Sequence, residues 1–251
     1  MEKVVAALAA QHDELSTLVS SLDEQGWQTP SRCAGWTVSD VVLHLAQTDE
    51  MAIASVQGRF AEAVGALTEG VGAAASVDEG VALMVDRERG RPGDEVRDRW
   101  QASASTLRDE LSACDADRRV VWVAGELSAR TLATTRLAES WIHTGDVAVP
   151  LGHETAADDR LWHIARLAWR TLPYAFARAG RELAGPVAFE LAAPNGDTWH
   201  FVPDTRAVTA IEGSAVELCT VAGQRADAAD TALRGEGPDA AAVLELVRTF
   251  A

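Results

Sequence analysis

Residues 136–146 read Arg136-Leu-Ala-Glu139-Ser-Trp-Ile-His143-Thr-Gly-Asp146. Residues four apart lie one above the other on the same face of an α-helix, so Glu139 and His143 can contact one cation together. A carboxylate and an imidazole supply half of a metal site. The fold must therefore bring a further ligand to this helix face.

A candidate for that ligand lies upstream, in the stretch Cys33-Ala-Gly-Trp36-Thr-Val-Ser-Asp40-Val-Val-Leu-His44. Thr37 is a good N-cap and Asp40 stands at the capping-box position, so a helix should begin here. His44 shares a helical stripe with apolar residues and should point into a bundle. Two histidines and one carboxylate leave coordination positions open for water or substrate, as catalytic metal sites do.

Two structural interpretations of these residues stay open. His44 can be a core histidine that is satisfied by one hydrogen bond. An amphipathic helix with a solvated polar face would show the same 3-4-3 spacing of polar residues over 136–146. That polar side, however, includes Leu132 and Val147 and contains no lysine, which is unusual for a fully solvated face.

If the site exists, neutral imidazoles at His44 and His143 and a carboxylate at Glu139 suit zinc or a similar divalent first-row ion. Asp40 or Asp146 can accept the second ring N–H of a ligating histidine, and Asp146 can instead be a fourth ligand.

Two further residues near the predicted bundle interior have chemical roles open to them. His12 interrupts the apolar stripe of the first helix, between Leu8 and Leu15, and should face the bundle interior. It is either a pocket or proton-transfer residue or a buried structural one. Cys33 is either a reactive thiol near a helix N-terminus or a small buried residue.

Composition narrows the class of partner and the compartment. The chain has 251 residues, 47% of them hydrophobic, and a formal net charge of −16. Nucleic acid and anionic membrane surfaces should be repelled. The sequence shows no signal peptide or membrane-spanning stretch. Three cysteines without CxxC spacing indicate a reducing compartment, so we expect a cytoplasmic protein.

The chain changes character near residue 185. Up to about residue 180 it is helical in period, with breaks at 25–26, 70–75, 90–93 and 124–125. After the first two helices, the pattern predicts helices at 77–89, 93–114, 128–149 and 157–179. Beyond Gly185-Pro186 it predicts a hairpin over 187–202, a strand at 207–211, a helix at 214–223, a strand at 232–234 and a helix at 239–250. The predicted fold is α+β, with a helical bundle over 1–182 and a small α+β domain over 183–251.

Two motifs resemble a known family. Gly35-Trp36-Thr37-Val38 followed by His44, and Glu139-x-x-x-His143-x-x-Asp146, resemble the mycothiol-dependent maleylpyruvate isomerase family of DinB-like metal-binding bundles. The C-terminal sequence resembles an actinobacterial subgroup of uncharacterised metal-binding proteins. The resemblance includes Ala-Pro-Asn-Gly-Asp-Thr-Trp-His-Phe and Gly-Gln-Arg225.

The resemblance implies a DinB-like four-helix bundle followed by a small α+β domain. It implies His44, Glu139 and His143 as the metal ligands and mycothiol as a thiol cofactor. It also implies a substrate-binding role for Arg225, which lies where the isomerase carries such an arginine in its C-terminal domain.

Residues and resemblance together predict a divalent-metal-dependent and thiol-dependent isomerase or S-transferase, acting on a small molecule between bundle and cap. A metal lowers the pKa of a bound thiol or water. Arg136 should either hold an anionic group of the bound molecules or pair with Glu139, one turn away. The alternatives are a non-catalytic metal-binding sensor or partner-binding protein, and a hydrolase that uses metal-bound water. The sequence leaves the substrate and the oligomeric state undetermined.

Overall fold

The computed structural model describes residues 1–70, 74–123 and 125–249. The chain divides into two compact units, Met1–Thr155 and Ala156–Ala251. Helices dominate the first unit and a sheet organises the second, so the predicted α+β class is confirmed. No helix in these described ranges is long and apolar enough to cross a bilayer.

The first unit contains long helices, short helices and one hairpin. In chain order these are α1 Glu2–Val19, α2 Glu24–Trp27, α3 Val38–Val56, α4 Phe60–Leu67, α5 Val77–Glu88, α6 Gly93–Ala113, β1 Arg119–Trp122, β2 Gly125–Ser128 and α7 Ala129–Ala148. The long helices α1, α3, α6 and α7 form the bundle: α3 packs along α6 and α7, and α1 packs along α7 and α6. The core that they enclose includes Leu15, Val41, Leu45, Val96 and Trp100.

The two helices that carry the predicted ligands both begin at a capping side chain. At α3, the predicted capping box is present: Thr37 Oγ1 accepts from Asp40 N (3.3 Å), and Asp40 Oδ2 accepts from Thr37 N (2.9 Å). At α7, Ser128 Oγ accepts from Thr131 N at 3.2 Å. These bonds satisfy backbone donors that a helix start leaves unpaired, so the caps fix where each helix begins.

The second unit surrounds a small mixed sheet. Its elements are α8 Leu161–Arg170, α9 Leu172–Arg178, β3 Val187–Ala192, β4 Thr198–Phe201, β5 Thr209–Ser214, α10 Ala215–Ala222, a 3-10 helix Ala228–Asp230, β6 Arg234–Glu236 and α11 Ala240–Leu246. The strand order is β4-β3-β5-β6. The predicted hairpin is the antiparallel pair β3 and β4, whereas β3 and β5 run parallel.

Several elements differ from the pattern-based predictions. The helix predicted over 157–179 is two helices that meet at Thr171, because Pro173 in the first turn of α9 has no N–H to continue α8. The helical period over the first 180 residues also concealed the β1–β2 hairpin. The last helix, predicted over 239–250, ends at Leu246, so the prediction is wrong for 247–249. The breaks predicted at 70–75 and 124–125 include residues 71–73 and 124, and the last predicted helix includes Phe250. These residues lie outside the described ranges.

The division between the units falls at a different place from the change in sequence period. Contacts separate the units after Thr155, so α8 and α9 belong to the second unit. The boundary at 182/183 remains a prediction about which segment folds by itself.

Candidate metal centre

The polar face of α7 is buried in the bundle. Arg136 is 1% exposed and Asp146 is fully buried, and His143 is buried as well. A solvated face on an amphipathic helix is therefore excluded for this stretch. Glu139 is the more open of these side chains, with 16% of its side chain exposed.

Three potential ligand atoms converge between α3 and α7. His44 Nε2 lies 3.3 Å from Glu139 Oε2, and His143 Nε2 lies 3.4 Å from the same oxygen. The two imidazole rings are edge to face, with centroids 4.8 Å apart. The helical period around His44 predicts only that this residue faces inward. In the structure, His44 contacts both predicted ligands on α7, Glu139 and His143.

These separations suit a small divalent ion. Zinc bonds to imidazole nitrogen and carboxylate oxygen are about 2.0–2.2 Å, so neighbouring ligand atoms around a tetrahedral ion stand about 3.3–3.5 Å apart. The observed Nε2–Oε2 distances of 3.3 and 3.4 Å fall in that range. Two imidazoles and one carboxylate are also the donor types that zinc and its first-row neighbours prefer.

The second nitrogen of His143 is held by an acid. Asp146 Oδ2 lies 3.0 Å from His143 Nδ1, across the ring from Glu139. A carboxylate at this nitrogen fixes the Nδ1–H tautomer and leaves Nε2 to bind an ion. Asp146 thus stands where the sequence predicted an orienting acid.

Asp40, the other acid predicted for that role, is engaged elsewhere. Its Oδ2 serves the cap of α3, and its Oδ1 forms an ion pair with Arg89 Nε at 3.2 Å. His44 Nδ1 is buried and has no hydrogen-bond partner among the described residues. The Trp36 ring packs against His44 instead, with centroids 5.4 Å apart. Packing and Glu139 therefore hold His44 in place.

Burial and hydrogen bonding set the protonation states of the three residues. Burial lowers the pKa of His44, and this outweighs the opposing hydrogen bond with Glu139. Burial alone would raise the pKa of Glu139, but its hydrogen bonds with the two imidazoles hold that pKa well below the usual value. Burial alone would lower the pKa of His143, but its hydrogen bonds with Asp146, Cys33 and Glu139 raise that pKa well above 6.5. His44 is therefore neutral and Glu139 ionised, as a divalent ion requires, whereas His143 is protonated near neutral pH and would release its Nε2 proton when an ion binds.

His12 lies in the bundle interior, as predicted, but both of its ring nitrogens have partners. Arg108 Nη1 donates to Nδ1 at 2.8 Å, and Nε2 lies 3.3 Å from Ser140 Oγ. Burial, together with the positive charges of Arg108 and Arg136, lowers the pKa of His12 to about 3. The ring is neutral near pH 7 and would have to break one of these bonds to transfer a proton.

Arg136 pairs with Asp49, an acid on another helix that no local pattern in the sequence indicates. Its Nε donates to Asp49 Oδ1 at 3.1 Å, and its Nη2 donates to Thr48 Oγ1 at 2.8 Å. Asp49 is fully buried on α3, and burial raises its pKa to about 6 despite the guanidinium beside it. Thr48 lies one helical turn after His44, and this spacing indicates from the sequence that Thr48 faces the same side of α3 as His44. No comparable pattern indicates the contact between Asp49 and Arg136. Anion binding by Arg136 remains a prediction.

Arg225 belongs to the second unit, just after α10. Its Nη1 donates to the Gly223 carbonyl at 3.0 Å, and Gln224 before it has a left-handed backbone with φ 58°. Its substrate-binding role remains a prediction.

From the sequence, Cys33 is predicted only as a reactive thiol or a small buried residue, whereas in the structure it lies beside the candidate metal centre. Its Sγ lies 3.2 Å from Asp146 Oδ2 and 3.7 Å from His143 Nδ1. Cys33, His143 and Asp146 thus form a second group with metal-ligand spacing. No local pattern signals this contact, because it joins residues more than a hundred positions apart.

Comparisons with known proteins agree with the fold. Two uncharacterized proteins of Mycobacterium tuberculosis, from strains CDC 1551 / Oshkosh and ATCC 25618 / H37Rv, are each 34% identical over 250 residues, which cover 98% of this chain and 95% of the relative. A crystal structure of mycothiol-dependent maleylpyruvate isomerase matches with a TM-score of 0.61 at 18% identity, and a mutant of that enzyme matches with 0.61 at 17%. Each match covers 95% of both chains, which shows a shared fold.

The family comparison covers the segment that carries all three candidate ligands. Residues 8–148 match the family described as the mycothiol maleylpyruvate isomerase N-terminal domain. That segment is more than half of the 251 residues and includes α3 and α7. The chain therefore belongs to the mycothiol maleylpyruvate isomerase N-terminal domain family.

Proposed function

We propose that this protein is a divalent-metal-dependent isomerase or S-transferase that uses a small thiol, with His44, Glu139 and His143 as the metal ligands. The observation that carries the proposal is the convergence of the two Nε2 atoms on one Glu139 oxygen, at 3.3 and 3.4 Å. Zinc is the ion that we expect first, because these spacings suit a tetrahedral ion.

Membership of the family supports mycothiol as the thiol, since the solved enzyme with the same fold is mycothiol-dependent. When bound, a divalent ion lowers the pKa of a coordinated thiol or water and so supplies a nucleophile near neutral pH. The partly exposed Glu139 marks the side from which a small molecule can reach the centre. Trp36 covers His44, and Asp146 orients His143.

Electrostatics favour a small anionic substrate only where a cation is close. The chain has a net charge of −16, so a local positive charge must offset the repulsion of an anion. The metal and a guanidinium would supply that charge, and we assign the guanidinium to Arg225 or Arg136. For Arg136, the bonds with Asp49 and Thr48 favour a structural role. For His12, the bonds with Arg108 and Ser140 favour the structural alternative to proton transfer.

Calorimetry with mycothiol tests the proposal on metal-loaded and chelator-treated protein. Binding should occur in the metal-loaded form and be lost or sharply weakened in the metal-free form. His44→Ala should abolish this difference, whereas His153→Ala, in an exposed loop, should preserve it. Equal binding in both forms, or none in either, would rule out the thiol-dependent function.

The same preparations separate the two alternative functions. Metal removal from a structural site should unfold the bundle, whereas removal from a catalytic site should leave its helical circular dichroism intact. A hydrolase that uses metal-bound water would turn over esters or amides in buffer without any thiol.

A further inference from the structure

One loop contacts both imidazoles of the proposed centre. It comprises residues 30–37, between α2 and α3, and Pro30 pairs with Thr37 at its base. Inside this 30–37 loop, Trp36 N donates to the Cys33 carbonyl at 3.0 Å. Gly35 has φ 78° at the third position of that turn, where a side chain would be strained. The turn therefore sets the spacing between Cys33 and Trp36.

The 30–37 loop is fastened to α7 beside His143. Arg32 N donates to the Asp146 carbonyl at 3.0 Å, which holds the backbone next to Cys33. Cys33 Sγ donates to Asp146 Oδ2 at 3.2 Å, and the same oxygen lies 3.0 Å from His143 Nδ1. At the other end of the turn, Trp36 packs on His44. One short loop thus contacts His44 through Trp36 and, through Asp146, the Nδ1 side of His143.

We propose that Cys33 is a positioning residue of the metal centre: its S–H holds the Asp146 oxygen that in turn orients His143. The inference rests on the proposed function, since the centre must bind an ion for orientation of His143 to matter. The Asp146 carboxylate can rotate about its side-chain bond, and a donor on the oxygen that accepts from His143 restricts that rotation. Outer partners of this kind contribute measurably to metal affinity.

A direct ligand role for Cys33 is the competing interpretation of the same geometry. It would require an ion between Cys33, Asp146 and His143 Nδ1. His143 would then bind through Nδ1 while Nε2 serves the first centre, and the ring would have to lose both of its protons. The hydrogen-bonded arrangement needs only the neutral ring, in its Nδ1–H tautomer. It therefore explains the observed distances with less perturbation.

The test compares Cys33→Ala with Cys33→Ser, because serine keeps a donor on a side chain of similar size. Cys114→Ala is the matched control, since the Cys114 thiol lies at the end of α6 and contacts the Asp115 carbonyl. Affinity for Zn²⁺ is measured by competition with a chelator, and the visible spectrum of the Co²⁺-loaded protein reports ligand geometry. Circular dichroism of each variant establishes that the bundle is folded.

We expect Cys33→Ala to weaken Zn²⁺ binding about three- to tenfold and to shift the Co²⁺ spectrum. Cys33→Ser should restore affinity to within about twofold of the parent, and Cys114→Ala should leave it unchanged. Asp146→Asn, which alters the acceptor itself, should weaken binding about 10- to 100-fold.

Four results would overturn the inference. Unchanged affinity in Cys33→Ala would show that the thiol positions nothing, and an equal loss in both Cys33 variants would indicate a packing effect. A thiolate-to-cobalt charge-transfer band that disappears in Cys33→Ala would identify Cys33 as a direct ligand. If the unmodified protein binds no ion, the proposed function fails together with the positioning role. If it binds one and the Cys33 variants match it, only the positioning role fails.

Discussion

Replacing His12 by Gln should reduce the acid sensitivity of the free energy of unfolding. In the folded protein His12 is buried between Arg108 and Ser140, and its pKa is lowered from 6.5 to about 3. In the unfolded chain the imidazole has its ordinary pKa. Unfolded molecules therefore bind a proton between these two pKa values that folded molecules do not bind, and stability falls as the pH drops below 6.5.

The magnitude follows from the size of this interval. The unfolded-state pKa of His12 lies about 1.5 pH units above pH 5. Over this interval, one proton taken up on unfolding changes the free energy of unfolding by about 1.4 kcal/mol per pH unit. His12 should thus reduce the free energy of unfolding by about 2 kcal/mol between pH 7 and pH 5. Above the unfolded-state pKa of 6.5 this contribution to the pH dependence vanishes.

Urea denaturation followed by far-ultraviolet circular dichroism measures the effect at both pH values. Glutamine cannot titrate, yet it can accept from Arg108 and donate to Ser140. The other titratable groups are the same in the parent and in His12→Gln, so their contributions to the change in the free energy of unfolding cancel in the comparison. The unmodified protein should lose about 2 kcal/mol more than His12→Gln on going to about pH 5. His200→Gln, on the exposed side of β4, is the control and should behave like the parent. Parallel pH profiles for the parent and His12→Gln would refute the argument.

Three further predictions concern the metal, the buried ion pair and the boundary. His44→Ala should lower Zn²⁺ affinity sharply in a chelator competition while the helical circular dichroism is retained, and unchanged affinity would rule out His44 as a ligand. Asp49→Ala leaves the Arg136 charge buried and unpaired, so urea denaturation should show a loss of about 3–5 kcal/mol, and a loss below about 1 kcal/mol would contradict this. Limited proteolysis should cut the partly exposed segment 181–186 and release residues 187–251 as a fragment. Cuts confined to the earlier loop at 149–160 would place the boundary where the contacts divide the chain.

Local sequence determined the helix starts and the spacing of the α7 ligands. Thr37 and Asp40 form the predicted capping box because both partners lie within one helical turn. Glu139 and His143 share a face because their separation matches the helical repeat. The Pro194-Asn-Gly-Asp turn likewise predicted the β3–β4 hairpin, since a tight turn pairs the strands that it connects.

Tertiary structure alone decided which polar side chains from distant segments of the chain meet. The sequence predicts that Arg136 either holds an anionic group or pairs with Glu139 on its own helix, yet Arg136 pairs with Asp49 on α3. Cys33 meets Asp146, and β3 lies parallel to β5, although no local signal joins these segments. Caps, turns and periodicity act over a few residues, whereas such contacts depend on which faces of distant segments pack together. The sequence could therefore predict that His44 points inward, and only the packing of α3 against α7 brought it to within 3.3 Å of Glu139.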